Sequence, residues 1–266
     1  MSKPEVGIVV RAYNEQENLA STLRSLKNQK DINLSASEVI IVDNASTDRT
    51  PEVARAFLEN NPEFPGQIVC ESEKGRGKAL HKGVLEAKAD LIAFLDADSE
   101  AAANWLASIV VFMKMHPEIV AGSGHVEFRN GPWHHRFLYP LVRDFVYFIA
   151  ARFNQGWISG ANWWARKDAY HRTGGILNLP EETVNDDKIM AIRLRKEGKI
   201  VYLKEARVRT DNWLVLKPTW LTNLPREFEQ VRQAVGVTKS LLHRLTEKTS
   251  FILSYWDRAK ERMGLL

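Results

Sequence analysis

The sequence predicts an α/β fold, a mostly parallel sheet flanked by helices with a helical tail at the C-terminal end. Short apolar, β-branched runs alternate with stretches of helical spacing four times within about the first 115 residues. The polar clusters that stand out follow those runs, as they do at the carboxyl edge of a parallel sheet. A composition of 44% hydrophobic and 26% charged residues is that of a chain able to build a core.

Residues 6–10 (VGIVV) read as a buried strand, and Asn18 to Gln29 as a helix through the spacing of Leu19, Leu23 and Leu26. Residues 38–42 (EVIIV) form a second strand ending at Asp43. Asp48 or Thr50 can cap the helix that follows, with Pro51 in its first turn. Gln67 to Cys70 is a third, weaker strand and Gly77 to Ala87 a helix, before a fourth strand over 91–95 (LIAFL) that ends at Asp96. Right-handed crossovers join such strands, so their carboxyl ends meet on one edge. Beyond residue 100 the alternation loosens. A helix is expected over 102–115, a strand or strand pair over 119–128, an aromatic segment over 137–153 and a helix over 186–196. Past Leu214 the pattern is helical, with breaks near Pro218, Pro225 and Gly236. The expected boundary lies near 212, separating a main domain (1–212) from a helical extension (213–266).

Several classes are disfavoured. The lone Cys70 cannot form an internal disulfide or a thiolate metal site. No run of about 18 apolar residues spans a bilayer, and Met1 to Val10 reads as a polar lead into a strand, with no signal peptide expected. The formal charge of +4 is unevenly spread: Lys204 to the end holds 12 Lys/Arg against 7 Asp/Glu. That excess suits either a solvated helical face or a membrane surface.

The strongest chemical signal is Asp96-Ala97-Asp98 where the fourth strand gives way to a loop. Carboxylates at i and i+2 can converge on one hard cation, Mg²⁺ or Mn²⁺, which keeps positions for phosphate oxygens. Asp43 can accept hydrogen bonds from a base or ribose, or cap its own turn. The first strand delivers Tyr13, able to stack on a base, and Glu15 to the same edge. Lys74-Gly75-Arg76-Gly77-Lys78 follows the third strand, where glycines admit an anion to backbone N–H groups and the cations offset its charge. The turn lacks the G-x-x-x-x-G-K-[ST] pattern, and no G-x-G-x-x-G follows the first strand.

The series VVRAYNEQENL, IIVDNASTDRT, KGRGKA, LDADS, SGANWWARKDAY and NDDKIMAIRLRKEG resembles glycosyltransferase family 2 in order and spacing over about residues 5–212. The resemblance implies a GT-A type, Rossmann-like domain, an inverting reaction and a divalent cation. Residues 1–100 would then be the nucleotide-sugar half and 101–212 the acceptor half. Ala12, Tyr13, Glu15 and Asp43 would hold the nucleoside. Asp96, Ala97 and Asp98 would bracket the ribose and metal-diphosphate region, with Asp98 the more direct ligand. Gly160, Ala161 and Asn162 match the segment beneath the sugar, and Asp187 falls at the general-base position. Asp186 stands where the family carries Glu, and either carboxylate can serve as the base. UDP is the default nucleotide on family frequency alone.

At least one of Trp157, Trp163 and Trp164 is expected in the core, the others being open to sugar or lipid. His125, His134, His135 and His171 show no metal-ligand spacing and read as surface or supporting groups. Trp133 to Phe153 is aromatic with flanking arginines, and suits a membrane interface, the tail helices or a dimer contact. The expected reading is single-sugar transfer to a sugar or lipid-linked hydroxyl, in the cytoplasm or at its membrane face, without a nucleic-acid partner. The alternatives are a sugar nucleotidyltransferase and a non-catalytic sugar-nucleotide scaffold.

Overall fold

The computed structural model describes residues 3–133, 136–137, 139–152, 156, 158–176 and 186–211. The chain divides into two units, Met1–Asn212 and Trp213–Leu266. The helical tail expected beyond 212 lies outside the described residues, as do Trp157, His134 and His135.

The strands are β1 (Val6–Ala12), β2 (Ser37–Asp43), β3 (Gly66–Cys70), β4 (Leu91–Asp96), β5 (Glu100–Ala101), β6 (Ile119–Phe128), β7 (Asn162–Arg166) and β8 (Lys199–Thr210). They form one eight-stranded sheet in the order β3-β2-β1-β4-β7-β6-β8-β5. Four of its seven pairings are parallel (β1 with β2, β1 with β4, β2 with β3, β6 with β8), so the mostly parallel α/β fold is borne out. β7 runs against both β4 and β6. The carboxyl ends of β1, β2, β3, β4, β6 and β8 therefore share one edge with the amino end of β7.

Helices cover both faces: α1 (Leu19–Lys27), α2 (Thr50–Glu59), α3 (Arg76–Glu86), α4 (Trp105–Met115), α5 (Tyr139–Arg152), α6 (Lys167–Arg172) and α7 (Asp186–Glu197). Alternation along the strands makes this possible. Val6, Ile8, Val10 and Ala12 of β1 join one core with Leu19, Leu23 and Leu26 of α1 and with Trp105 and Ile109 of α4. Val9 points the other way, among Ala79, Leu80 and Val84 of α3 and Met190 and Leu194 of α7. Each fully buried leucine in such a layer contributes about 1.5–3 kcal/mol.

Three strands were not anticipated, the two-residue β5 and the longer β7 and β8. β7 is five residues long and carries a polar start, and β8 mixes five charged residues into its pattern (KIVYLKEARVRT). Only the inward Ala206, Val208 and Thr210 of β8 keep a clear period of two. The helix expected from residue 102 begins at Trp105. For α2 the formal N-cap is Arg49, without a side-chain cap, but Asp48 Oδ1 accepts the Thr50 N–H at 2.9 Å and Pro51 lies in the first turn.

Gly83 of α3 crosses β1 at close range. A Cβ there would overlap the Val9 side chain and lie 3.2 Å from Cγ2 of Val42. Ala in a helix normally gains about 1 kcal/mol over Gly, whereas overpacking a rigid core costs about 1–3 kcal/mol. Gly83→Ala is therefore expected to destabilise the protein by about 1–2 kcal/mol in urea unfolding. A midpoint shifted upwards would refute that close packing.

Candidate active site

The strand order reverses between β1 and β4. The chain steps outward from β1 to β2 and β3, then returns to lay β4 on the other side of β1. Ligands of open α/β sheets bind at such a switch point. Register brings Ala12 opposite Asp43 and Arg11 opposite Asp96 on this edge.

Arg11 Nε donates to Asp96 Oδ1 at 2.6 Å, with the arginine side chain 9% and the aspartate 23% exposed. Ala97 is buried, and its carbonyl accepts from Thr22 Oγ1 at 2.7 Å, which fixes the turn from Asp96 to Asp98. Asp98 Oδ1 accepts from Ser99 Oγ and from Thr210 Oγ1, each at 3.1 Å. Burial, then the Asp96 charge and more weakly Asp211, raise the Asp98 pKa against the lowering pull of those two hydroxyls. Glu15 is raised too, by burial first and by Asp98, Asp96 and Asp211, with its bond from Asn18 opposing. Arg129 offsets part of this field, donating to the Asp98 carbonyl (2.7 Å), Glu100 (2.8 Å) and Asp211 (3.1 Å).

A cation fits this cluster on two grounds. The Asp96 charge adds to burial in raising the pKa of Asp98 and of Glu15, and Asp98 Oδ2 has no hydrogen-bond or ion-pair partner among the described residues. Asp96 is the weaker ligand candidate because Arg11 takes one of its oxygens. Among the described residues no three His, Cys, Asp or Glu side chains are gathered as a metal site, so phosphate and water oxygens would complete the shell.

The basic turn faces the same edge. Asn44 organises it: Oδ1 accepts from the Gly75 N–H at 2.9 Å, and Nδ2 donates to the carbonyls of Glu73 (2.7 Å) and Glu71 (3.3 Å). Gly75 then adopts φ 155°, a backbone that other residues rarely take, and α3 starts at Arg76. The positive end of that helix and the Arg76 side chain are exposed here. Lys74 Nζ donates to the Tyr13 hydroxyl at 2.9 Å and lies 5.0 Å from its ring centroid, while Lys78 pairs with Glu73 at 2.7 Å. Asp43 is buried, and its Oδ1 accepts from the Ser46 N–H at 3.4 Å.

From the other half of the sheet comes Asp187, whose Oδ2 accepts from the Gly160 N–H at 3.2 Å. A Cβ on Gly160 would lie 3.4 Å from Arg76 Nη2 and 3.7 Å from both Arg11 Nη2 and Asp187 Oδ2. The glycine thus marks where the two halves of the site meet, beside the half-buried Ala161. Asp186 opens α7, and its side chain is outside the described residues.

Asn162, in the segment that the resemblance places beneath the sugar, is fully buried: its Oδ1 accepts from Trp105 Nε1 at 2.9 Å, and its Nδ2 donates to the carbonyls of His125 (2.9 Å) and Ala206 (2.8 Å). With both donors and the acceptor engaged, its amide supports the site from behind. Trp163 and Trp164 are both core, the former stacked on Phe94 at 3.8 Å. Sequence reasoning passed over Arg129, placed Arg11 at this edge without a role and read Asn44 as a turn residue. Arg11 did carry a signal, a cation inside the apolar run VGIVVRA.

A sheet of this order, with carboxylates gathered at its switch point, is the architecture of GT-A glycosyltransferase domains. The mannosyltransferase PcManGT from Pyrobaculum calidifontis, solved with GDP-Man and Mn²⁺, matches with a TM-score of 0.66 at 22% identity, over 90% of this chain and 66% of that one. S. aureus TarS 1–349 in complex with UDP-GlcNAc gives a TM-score of 0.62 at 18% identity, over 78% of this chain and 58% of that one. At these identities the likeness is one of fold.

The chain belongs to glycosyl transferase family 2, whose profile matches residues 7–174. Among curated relatives, the dolichol-phosphate mannosyltransferase of Pyrococcus furiosus is 27% identical over 139 residues, 50% of this chain and 38% of that protein. The chain spans half or less of the length of the first curated relatives it matches.

The Arg11–Asp96 pair is open to a double-mutant cycle. Removing Arg11 leaves Asp96 uncompensated beside Asp98, whereas removing both charges relieves the cluster. Arg11→Met alone is expected to cost about 2 kcal/mol in urea unfolding, and Arg11→Met with Asp96→Asn to recover at least half of it. Additive losses would show that the pair is not coupled.

Proposed function

We propose that this chain is an inverting, metal-dependent glycosyltransferase that moves one sugar from a nucleotide-diphosphate sugar to an acceptor hydroxyl. Residues 1–212 are its catalytic domain and 213–266 an extension. The observation that carries the reading is Asp187 Oδ2 on the Gly160 N–H, at the point where Arg76 also converges. A base candidate and a cation for a leaving group, joined across a residue without a side chain, suit displacement at a carbon between them.

In this mechanism the acceptor hydroxyl gives its proton to the Asp187 carboxylate as its oxygen attacks the anomeric carbon. The bond from that carbon to the diphosphate oxygen breaks, the nucleoside diphosphate leaves on the opposite side, and configuration inverts. Asp186 acts beside Asp187. Lys74, Arg76, Lys78 and the N-terminal end of α3 offset the charge of the leaving group. Asp43, Tyr13, Glu15 and the backbone at Ala12 hold the nucleoside. A divalent cation, Mg²⁺ or Mn²⁺, held by Asp98 with Asp96 alongside, would neutralise diphosphate charge. UDP is the default nucleotide, with GDP supported by the GDP-Man complex of PcManGT. The acceptor is a sugar or a lipid-linked hydroxyl, the latter supported by the dolichol-phosphate mannosyltransferase relative. The enzyme would work in the cytoplasm or at its membrane face.

Thermal shift against UDP, GDP and dTDP with and without Mn²⁺ tests the donor site. One diphosphate at a hundred times its dissociation constant is expected to raise Tm by roughly 5–10 °C, and Asp98→Ala to abolish the metal-dependent part. Asp187→Asn is expected to keep that shift and lower release of nucleoside diphosphate from the matching sugar nucleotide about 10²–10⁴-fold. Pyrophosphate as the product would identify a nucleotidyltransferase instead. Turnover unchanged in Asp187→Asn would remove it as the base.

A further inference from the structure

The polarity of α5 is inverted. A helix on a protein surface normally turns its apolar stripe to the core and its charges to water. In α5, Leu141, Phe145 and Phe148 share one face at i, i+4 and i+7, and are 66%, 66% and 58% exposed. Before the helix, Trp133 and Phe137 are 67% and 65% exposed. The inward face carries the charges: the side chains of Arg143 and Asp144 are only 7% and 12% exposed. Arg143 donates to the Val126 carbonyl at 3.2 Å, Asp144 bonds His125, and Tyr147 packs edge-on against Tyr202 at 5.9 Å. Burial alone would raise the Asp144 pKa, but its bond to His125 and the Arg143 charge help to hold it low.

This arrangement argues for an apolar medium outside α5, and charge argues for which one. Between Trp133 and Arg152 the single acid, Asp144, faces inward beside the equally inward Arg143, so the exposed charge among the described side chains of this segment is Arg136. Arg136 is exposed and lies over the Phe137 ring at 5.6 Å. A second copy of the chain in an isologous contact would bring a second Arg136 to the same apolar face, with no outward acid between Trp133 and Arg152 to pair with it. A bilayer with anionic headgroups complements both the aromatics and Arg136. No helix among the described residues is long and apolar enough to cross a membrane.

We propose that the outer face of α5 and the aromatics before it dock on an anionic bilayer surface and hold the site beside it. Both ends of the excursion that carries α5 return to the site edge: Arg129 binds the Asp98 carbonyl at 2.7 Å, and Gly160 binds Asp187 at 3.2 Å. Docking sets the Asp187 side of the site next to lipid, where an amphiphilic acceptor presents its hydroxyl. That last consequence rests on the transferase reading; the docking does not.

The test is co-flotation of the full chain with phosphatidylcholine vesicles, with and without phosphatidylglycerol, at low salt. Flotation is expected with the anionic vesicles, to weaken with salt, and to fall roughly tenfold or more in Leu141→Glu/Phe145→Glu/Phe148→Glu. The same variant is expected to keep its nucleotide thermal shift, which separates loss of docking from loss of the sugar-donor site. A natural chain that stays off anionic vesicles overturns the proposal. So does a triple variant that floats undiminished, since binding then resides elsewhere in the chain. A dimer that the same substitutions split would assign the face to a second copy instead. As a check independent of folding, Phe145→Cys in a Cys70→Ser background takes an environment-sensitive dye, because Cys70 is exposed. A blue shift of the dye on anionic vesicles is expected, and an unchanged spectrum counts against docking.

Discussion

The second half of the sheet depends on one buried amide. Asn162 ties the start of β7 to α4 through Trp105, to β6 through the His125 carbonyl and to β8 through the Ala206 carbonyl. Left unsatisfied, a buried amide would cost several kcal/mol; with all three bonds made, it permits only one relative placement of those elements. Two irregularities serve it. The β6–β8 register slips between Gly124 and His125, from Leu203 to Arg207, and the bulge presents the Ala206 carbonyl. Gly124 itself has no room for a Cβ, which would overlap both that carbonyl and Asn162 Nδ2. Two residues before the amide stands Gly160, so placement of the Asp187 side of the site follows from packing that no ligand touches.

The first half is governed by charge compensation. Parallel pairing brings the ends of β1, β2 and β4 together whatever residues they carry, and here it collects Asp43, Asp96 and Asp98 on one edge. Two arginines make that tolerable, Arg11 from beneath the crevice and Arg129 from just past the end of β6. They leave the neutralisation incomplete: burial is the main cause of the raised pKa of Glu15 and Asp98, but the Asp96 and Asp211 charges still add to it. Incomplete compensation is useful to a site that is to accept a cation. A fully paired cluster would have no affinity left for one, and a bare cluster would repel itself apart.

These two constraints explain what was legible in the sequence. The parallel half was readable almost residue by residue, because its strands are buried on both faces and appear as unbroken apolar runs such as VGIVV and EVIIV. The expected strand over 119–128 coincides with β6. β7 and β8 were missed because their signal is tertiary. β7 holds its polar Asn162 inside through bonds to distant elements, and β8 pairs on both sides while exposing charges. Motif residues were easy to find and their roles were not: nothing in the run Gly-Ala-Asn distinguishes the glycine at the junction from the asparagine turned into the core. Arg11 and Asn44 act through partners 85 and about 30 residues away.

α5 follows from the same logic of buried polar bonds. His125 gives its carbonyl to Asn162 and its ring to Asp144, so a single residue of β6 links the amide hub to this helix. Arg143 adds a second polar bond, to the Val126 carbonyl. Hydrophobic packing is tolerant of rotation, whereas bonds of this kind fix which face of the helix turns inward. With α5 held by Arg143 and Asp144, its Leu and Phe residues have no inward position left, and their exposure is a consequence of how the helix is anchored. The free energy forgone by leaving three large side chains in water is several kcal/mol at about 1.5–3 kcal/mol each. An orientation that forgoes so much is best understood in a chain whose working surroundings return it.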